Sequence, residues 1–290
     1  MRWFIVNPVA GNGRGQKVWR QLKKIMDERQ IPYRVLFSEQ AGHAEELARR
    51  AVLRSDVKSV IAVGGDGTVH EVGNGLVGSI MPMGFIPAGS GNDFALAHRI
   101  PANPGQALER ILQHQVRRVD TADIDGKTMI GFAGIGFDGR VAEAVNLSSF
   151  KRWLGKLNYI WGALRVLRSF EPAQVSVSID GKKIDVGGVW LIAVANNPYY
   201  GGGMKICPFA VNDDGKLDIC CVNNLSRHQF LKIFPTVYKG VHIHHPSVTM
   251  RQGKEIIIDS DTRMVIHADG EVIGETPLTV TVRPRSLSIL

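Results

Sequence analysis

The chain has 290 residues, 44% of them apolar and 21% charged, an ordinary globular composition whose length allows one large domain or two of roughly 100–180 residues. Its 35 Lys and Arg against 27 Asp and Glu give a formal charge of +8, which favours anionic partners such as nucleic acid, phosphorylated metabolites or acidic membrane surfaces. Cys207, Cys220 and Cys221 form no CxxC pair, and their odd number excludes a complete disulfide framework and suits a reducing, cytosolic compartment.

In chain order, residues 3–6 form an apolar run ending at Asn7-Pro8, with no signal-peptide pattern before it. Helical spacing follows over 16–28 through Val18, Leu22 and Ile25, then an apolar run at 33–37, a helix-like stretch at 43–53, a run at 59–63 and a helix from Thr68 to Leu76. Strands alternating with helices of this length predict βα units and a mainly parallel sheet, which binds ligands at the carboxyl ends of its strands. Beyond about Asp120 the texture changes. Short β-rich runs at 175–179, 183–184, 189–194, 217–222, 255–258, 264–267 and 278–282 are separated by turns such as Asp180-Gly181, Asp214-Gly215 and Asp269-Gly270, predicting a mostly antiparallel second domain. The expected division is 1–125 and 126–285, with the return of 286–290 to the first domain left open.

Residues 150–170 carry Lys151, Arg152, Lys156, Arg165 and Arg168 with Trp153 and Trp161 and no acidic residue. Trp153, Leu157, Ile160, Leu164 and Leu167 share one helical stripe, with the basic residues on both flanks. A helix packed on the second domain and a helix touching a membrane both fit. The windows 80–88 and 189–195 are far shorter than the ~20 apolar residues that cross a bilayer, so no transmembrane segment is expected. His242 and His244 alternate as on a strand face, but no further ligand follows before Pro246, and zinc is not expected. Dispersed basic residues without a zinc-finger or RNP pattern argue against nucleic acid.

Three glycine-rich turns stand between strand and helix: Asn7-Pro8-Val9-Ala10-Gly11-Asn12-Gly13-Arg14-Gly15, Val63-Gly64-Gly65-Asp66-Gly67-Thr68 and Pro87-Ala88-Gly89-Ser90-Gly91-Asn92-Asp93. Glycine lets the backbone turn sharply and present N–H groups to phosphate, while the following helix N-terminus favours negative charge. The Walker pattern GxxxxGK[ST] is absent. Gly134-Ile135-Gly136-Phe137-Asp138-Gly139 matches GxGxxG but lacks the later acidic residue of a dinucleotide site, and reads as close strand–helix packing.

Together with the motifs GGDGTVHEVGNGL at 64–76, PAGSGNDFA at 87–95, GIGFDG at 134–139 and ADGE at 268–271, the NPVAG stretch at 7–11 resembles the soluble bacterial lipid kinases of the diacylglycerol kinase catalytic-domain family, a family that also includes the sphingosine and ceramide kinases. The resemblance covers nearly the whole chain. It implies an α/β nucleotide-binding domain like that of NAD kinases and phosphofructokinases, then a β-sandwich lipid-binding domain, with the active cleft between them. It implies transfer of phosphate from ATP, with Mg²⁺, to a lipid hydroxyl such as that of diacylglycerol, by a cytoplasmic protein at the inner membrane face. A homodimer stays open. The alternatives are a soluble-metabolite kinase of the NAD kinase type and a catalytically silent lipid-binding protein.

The family pattern places nucleotide contacts on Asn7, Pro8, Val9, Ala10, Gly11, Ser38, Gly65, Asp66, Gly67, Thr68, Val69, His70, Glu71 and Ser90. A carboxylate at Asp66 repels a polyphosphate unless a cation lies between, so it reads as Mg²⁺-coordinating, or as a helix cap. Asp93 and Asp120 match acidic positions the family joins to the same Mg²⁺ network. The turn Val211-Asn212-Asp213-Asp214-Gly215-Lys216 resembles a second, structural Mg²⁺ site, with the Asp214 carboxylate and the Val211 and Lys216 carbonyls as ligands. Asp269-Gly270-Glu271 is a hairpin signal by itself. By resemblance it holds the proton acceptor, Glu271 first and Asp269 as alternative.

Overall fold

The first apolar run becomes β1 (Arg2–Val6), which pairs in parallel with β2 (Tyr33–Phe37) on one side and β3 (Ser59–Gly64) on the other. β4 (Met83–Pro87) continues the parallel ladder beyond β3. β3 and β4 are buried at every position, which explains their unbroken apolar sequence. The connections are α1 (Ala10–Glu28), α2 (His43–Val52) and α3 (Asp66–Leu76), followed by α4 (Asp93–Ala97) and α5 (Pro104–Gln113). α1 buries Val18, Trp19, Leu22 and Met26 at helical spacing. α5 starts on Asn103, whose side chain accepts the Gly105 and Gln106 N–H groups.

The computed structural model describes residues 1–147 and 165–290, so most of the basic, tryptophan-bearing stretch at 150–170, with its membrane-contact reading, lies outside the described residues. The described chain divides into two units. One comprises Met1–Thr121, Tyr199–Gly203 and Arg283–Leu290, and the other Ala122–Pro198 and Met204–Val282. In the first unit, Ile289 pairs in parallel with Met83, and the Gly78 N–H donates to the Ser286 carbonyl at 2.8 Å.

The second unit is antiparallel. β5 (Arg117–Ile124), which begins in the first unit, forms a hairpin with β6 (Lys127–Met129). β7 (Phe132–Gly136) leads into α6 (Phe137–Leu147). β8 (Ala173–Ile179) pairs with β9 (Lys182–Ala195). The runs at 183–184 and 189–194 are thus one strand, broken to the eye by Gly187-Gly188, where Gly188 takes φ +60° and the register to β8 shifts. The later half of β9 lies between β7 and β10 (Leu217–Asn223).

α7 (Arg227–Ile233) starts with a capping box between Ser226 and Gln229. β11 (Val248–Gly253) pairs β10, and β12 (Glu255–Ser260) pairs β8 and β15 (Leu278–Ile289). β13 (Val265–Ala268) lies between β7 and β14 (Glu271–Glu275). The core includes Ile135, Val177, Ile192, Ile219, Ile256 and Val280.

One local reading needs correction. His242 and His244 sit on a 3-10 helix at Val241–His244, not on a strand, because Gly240 with φ +70° turns the chain there. His242 is buried and its Nε2–H donates to the Ile206 carbonyl at 3.0 Å. The GxGxxG stretch is close packing, as its sequence suggests. A Cβ at Gly136 would lie 2.4 Å from Met264 Cε, and one at Gly139 would lie 2.1 Å from the Val265 carbonyl oxygen.

Candidate active site

The first unit gathers its three glycine-rich turns at the carboxyl ends of β1, β3 and β4. After β1 the Asn7 N–H continues the ladder to the Val63 carbonyl at 2.9 Å, and the Asn7 side-chain oxygen accepts the Val9 N–H at 3.2 Å. Gly11, Asn12 and Gly13 are all left-handed within α1, so the helix proper is preceded by a loop of outward-turned backbone. Gly11 is required twice: φ is +56°, and a Cβ would lie 2.3 Å from the Ala88 carbonyl oxygen. The Asn7 amide donates to Thr68 Oγ1 at 3.4 Å, joining the first turn to the second. Arg14 Nη1 donates to the Gly89 carbonyl at 2.9 Å, joining it to the third. Val9 is exposed, Pro8 and Ala10 are half-buried, and Ser38 donates its N–H to the Val6 carbonyl, standing beside the end of β1.

Gly65 is the extended N-cap of α3, and its carbonyl accepts the Thr68 and Val69 N–H groups. Gly67 is exposed, and the Ala88 N–H meets the Gly64 carbonyl, bringing the second and third turns side by side. A Cβ at Gly89 would lie 2.4 Å from Gly65 Cα, so backbone touches backbone. Ser90 is exposed at the tip of the third turn.

Asp66 is the electrostatic centre. Its Oδ2 accepts the Asn92 N–H at 2.7 Å and its Oδ1 the Phe94 N–H at 3.1 Å, which locks the third turn onto the start of α3. Asp93 faces the other way in sequence and accepts the Gly202 and Gly203 N–H groups at 2.8 and 2.7 Å. Gly91 lies between the two carboxyl groups, for a Cβ there would be 2.9 Å from Asp66 Oδ2 and 3.5 Å from Asp93 Oδ2. Burial first, and the neighbouring Asp93 charge second, push the Asp66 carboxyl up to about 6. Ionising it in place is therefore harder than ionising an ordinary aspartate. Two adjacent, part-buried carboxylates are a hard-oxygen donor pair whose mutual repulsion a divalent cation would relieve.

Other residues of the expected site have local partners of their own. Val69 is buried in the core, His70 Nε2 lies 2.9 Å from the Asn74 amide, and Glu71 Oε2 accepts the Ala44 N–H at 3.0 Å in the first turn of α2. Asp120 is buried and accepts the Arg285 N–H at 2.7 Å. Arg14, Asn92 and the Gly202 and Gly203 amides are members that the motif reading does not assign. The run Gly201-Gly202-Gly203, all three at positive φ, is the sequence signal for the last two.

The second unit holds the remaining candidates. Asp269 and Gly270 have φ +48° and +93°, a two-residue hairpin turn that sets Glu271, exposed, at the start of β14 opposite Ala268. Both Asp269 oxygens accept backbone N–H groups: Oδ1 from Gly131 and Phe132 at 2.8 and 3.1 Å, Oδ2 from Ile130 at 2.7 Å. Asp269 therefore clamps the hairpin to the chain leading into β7. In the turn at 211–216, Asp214 Oδ1 accepts the Lys216 N–H at 3.0 Å, and the buried Asn212 amide donates to Asn197 Oδ1. Among the described residues no three His, Cys, Asp or Glu side chains group as metal ligands. A site there would have one carboxylate and carbonyls, as befits Mg²⁺. A cavity of about 730 Å³ lies in the same unit, lined by Phe170, Met264, Val166, Arg140, Arg165 and Arg263 among others.

Residues 2–124 match the diacylglycerol kinase catalytic domain, and residues 131–290 match the YegS C-terminal NAD kinase beta sandwich-like domain. The chain is 31% identical to "Putative lipid kinase YtlR" of Bacillus subtilis (strain 168), covering 99% of this chain and 98% of that one. It is 29% identical to the diacylglycerol kinase of Mycobacterium tuberculosis (strain ATCC 25618 / H37Rv), covering 99% and 93%. The crystal structure of a "putative diacylglycerol kinase from Bacillus anthracis str. Sterne" superposes with TM-score 0.83 at 26% identity, over 99% of this chain and 94% of that one.

Proposed function

The chain belongs to the diacylglycerol kinase catalytic-domain family of lipid kinases, and from that premise we propose that it transfers the γ-phosphoryl group of ATP to a lipid hydroxyl, converting diacylglycerol to phosphatidic acid, in an Mg²⁺-dependent reaction at the cytoplasmic membrane surface. The observation that carries this is the Asp66–Asp93 carboxyl pair set inside phosphate-type glycine turns. Acid beside polyphosphate is repulsive, and a cation between them would relieve that repulsion, which supports the reading.

Phosphoryl transfer needs a cradle, charge neutralisation and an acceptor for the hydroxyl proton. The backbone from Asn7 to Gly11, the Gly65–Thr68 turn and Ser90 would cradle the phosphates through N–H groups, with Ser38 at the end of β2 alongside. Asp66 and Asp93 would hold the catalytic Mg²⁺, and Asp120 would support that network. Mg²⁺ supplies charge neutralisation at the transferring phosphoryl oxygens. The turn with Asp214 and the Val211 and Lys216 carbonyls would hold a second, structural Mg²⁺. Glu271 would accept the lipid hydroxyl proton. It is preferred to Asp269 because it is exposed, whereas the Asp269 oxygens are engaged by three backbone N–H groups. The 730 Å³ cavity, within the size range of small-ligand sites and lined by Val166, Phe170 and Met264 together with Arg140, Arg165, Arg263, Glu143 and Glu171, is a candidate for the lipid.

The test is incubation with γ-labelled ATP and a panel of dispersed lipids, NAD serving as the soluble-metabolite arm, with and without Mg²⁺. Labelled phosphatidic acid, lost without Mg²⁺, is expected. Labelling of NAD instead, or of nothing, would overturn the proposal. Glu271→Gln should lower turnover about 100-fold or more while the ATP KM stays within about twofold.

A further inference from the structure

Asp138 and His267 form a buried pair in the second unit. His267 Nε2–H donates to Asp138 Oδ2 at 2.7 Å, and each side chain is 6% exposed. His267 Nδ1 is buried and has no hydrogen-bond partner among the described residues, so the ring is tied by this one bond. The space is specific to the pair: a Cβ at Gly134 would lie 2.4 Å from Asp138 Oδ2 and 2.5 Å from His267 Nε2. The Phe132 ring meets His267 edge-on at 5.1 Å.

The two residues tie the start of a helix to a strand at its irregular position. Asp138 is the second residue of α6, and its neighbour Phe137 packs its ring against Phe230 and Phe170 at 4.8 and 5.6 Å, fixing the helix start in the core. His267 lies on β13, opposite Gly134 of β7 and Val272 of β14. The β13–β14 register shifts between Ile266 and His267, and such an irregularity lets the β14 side twist. β13 keeps its register with β7 through Ala268, and Asp269 clamps the tip to the chain before β7, so the Asp138–His267 bond adds a tie from α6 at the irregular residue itself. Four residues on stands Glu271. A buried hydrogen-bonded pair adds little stability over an apolar pair of equal volume; what it supplies is one donor, one acceptor and one direction.

We propose that Asp138 and His267 are positioning residues: their hydrogen bond pins β13 at its irregularity and thereby aims Glu271. This rests on Glu271 as the proton acceptor, and the experiment separates the two ideas. Turnover and ATP KM are measured for Asp138→Ala and Asp138→Asn, in the native chain and in the Glu271→Gln background, on protein that melts cooperatively. Asp138→Ala should lower kcat about 30- to 100-fold with ATP KM within about twofold, as misplacement of a reacting group does. Asp138→Asn, which still accepts from Nε2, should lose less than about fivefold. In the Glu271→Gln background, Asp138→Ala should change the residual rate less than about twofold, since the group it aims is gone.

An equal loss in both backgrounds, or native kcat in Asp138→Ala, would overturn the positioning role and leave the assignment of Glu271 intact. Native kcat in Glu271→Gln alone would instead overturn the assignment of Glu271. If Asp138→Ala does not fold, His267→Gln is compared with His267→Asn. The longer amide should keep kcat within about fivefold and the shorter one should not, whereas equal rates would overturn the proposal.

Discussion

The Asp66 carboxyl titrates where few carboxylates do, and the sign of the effect is fixed. Because its folded value, about 6, lies above the ordinary 3.8, the native state keeps a proton that the unfolded chain has released, so stability falls as pH rises between those values. A divalent cation binds the ionised form, so it offsets that loss increasingly as pH rises. Millimolar Mg²⁺ should therefore raise the melting temperature near neutral pH and have little effect near pH 5, and Asp66→Asn should remove most of the difference. An Mg²⁺ shift independent of pH, or unchanged in Asp66→Asn, would show that the cation binds elsewhere. The glycine turns were legible in the sequence because their constraint is on backbone: Gly11 has no room for a Cβ and sits at positive φ. The carboxylate geometry was not legible, since which N–H groups Asp66 and Asp93 accept depends on Asn92, Phe94 and a glycine run about 110 residues away.

At the scale of elements, the β13–β14 hairpin shows how one side chain can hold a whole ladder. Asp269 in a left-handed turn position accepts three N–H groups from the chain leading into β7. Asp269→Ala would leave those donors without their acceptor and place alanine at positive φ, so it should cost about 2–4 kcal/mol, read as a lower urea midpoint. Asp269→Asn keeps the oxygen that serves Gly131 and Phe132 and should cost about half as much. Equal stability of both variants and the native chain would remove the clamp.

Strand and helix types were readable from periodicity. β3 and β4 carry unbroken apolar runs because they are buried throughout, and residues 255–258 alternate buried and exposed positions. The long β9 was not readable as one strand, because glycine at a bulge imitates a turn. The 3-10 helix at 241–244 was not readable either, because four residues carry too little periodicity to separate it from a strand.

For the whole molecule, the change of texture near Asp120 marked two kinds of sheet, one buried and parallel, one alternating and antiparallel. Alternation gives no information about partners beyond a strand's own length, which is why the course of β15 past Val282 could not be read in advance. In the structure that course joins residues 283–290 to the first unit, through Ile289 beside Met83, Ser286 on the Gly78 N–H and the Arg285 N–H on Asp120. Deleting 283–290 should lower the melting temperature and weaken ATP binding at least about tenfold, although none of these residues is proposed to touch nucleotide. Unchanged ATP affinity in the truncated chain would show that the segment is dispensable to the first unit. The same feature governs how the protein comes into being on the ribosome. Thr121 is translated about 160 residues before Arg283, so at ~5–20 residues per second the nascent first unit waits on the order of ten seconds for its last strand. During that interval β4 presents an unpaired edge, a period in which chaperones or premature sticking would decide the yield.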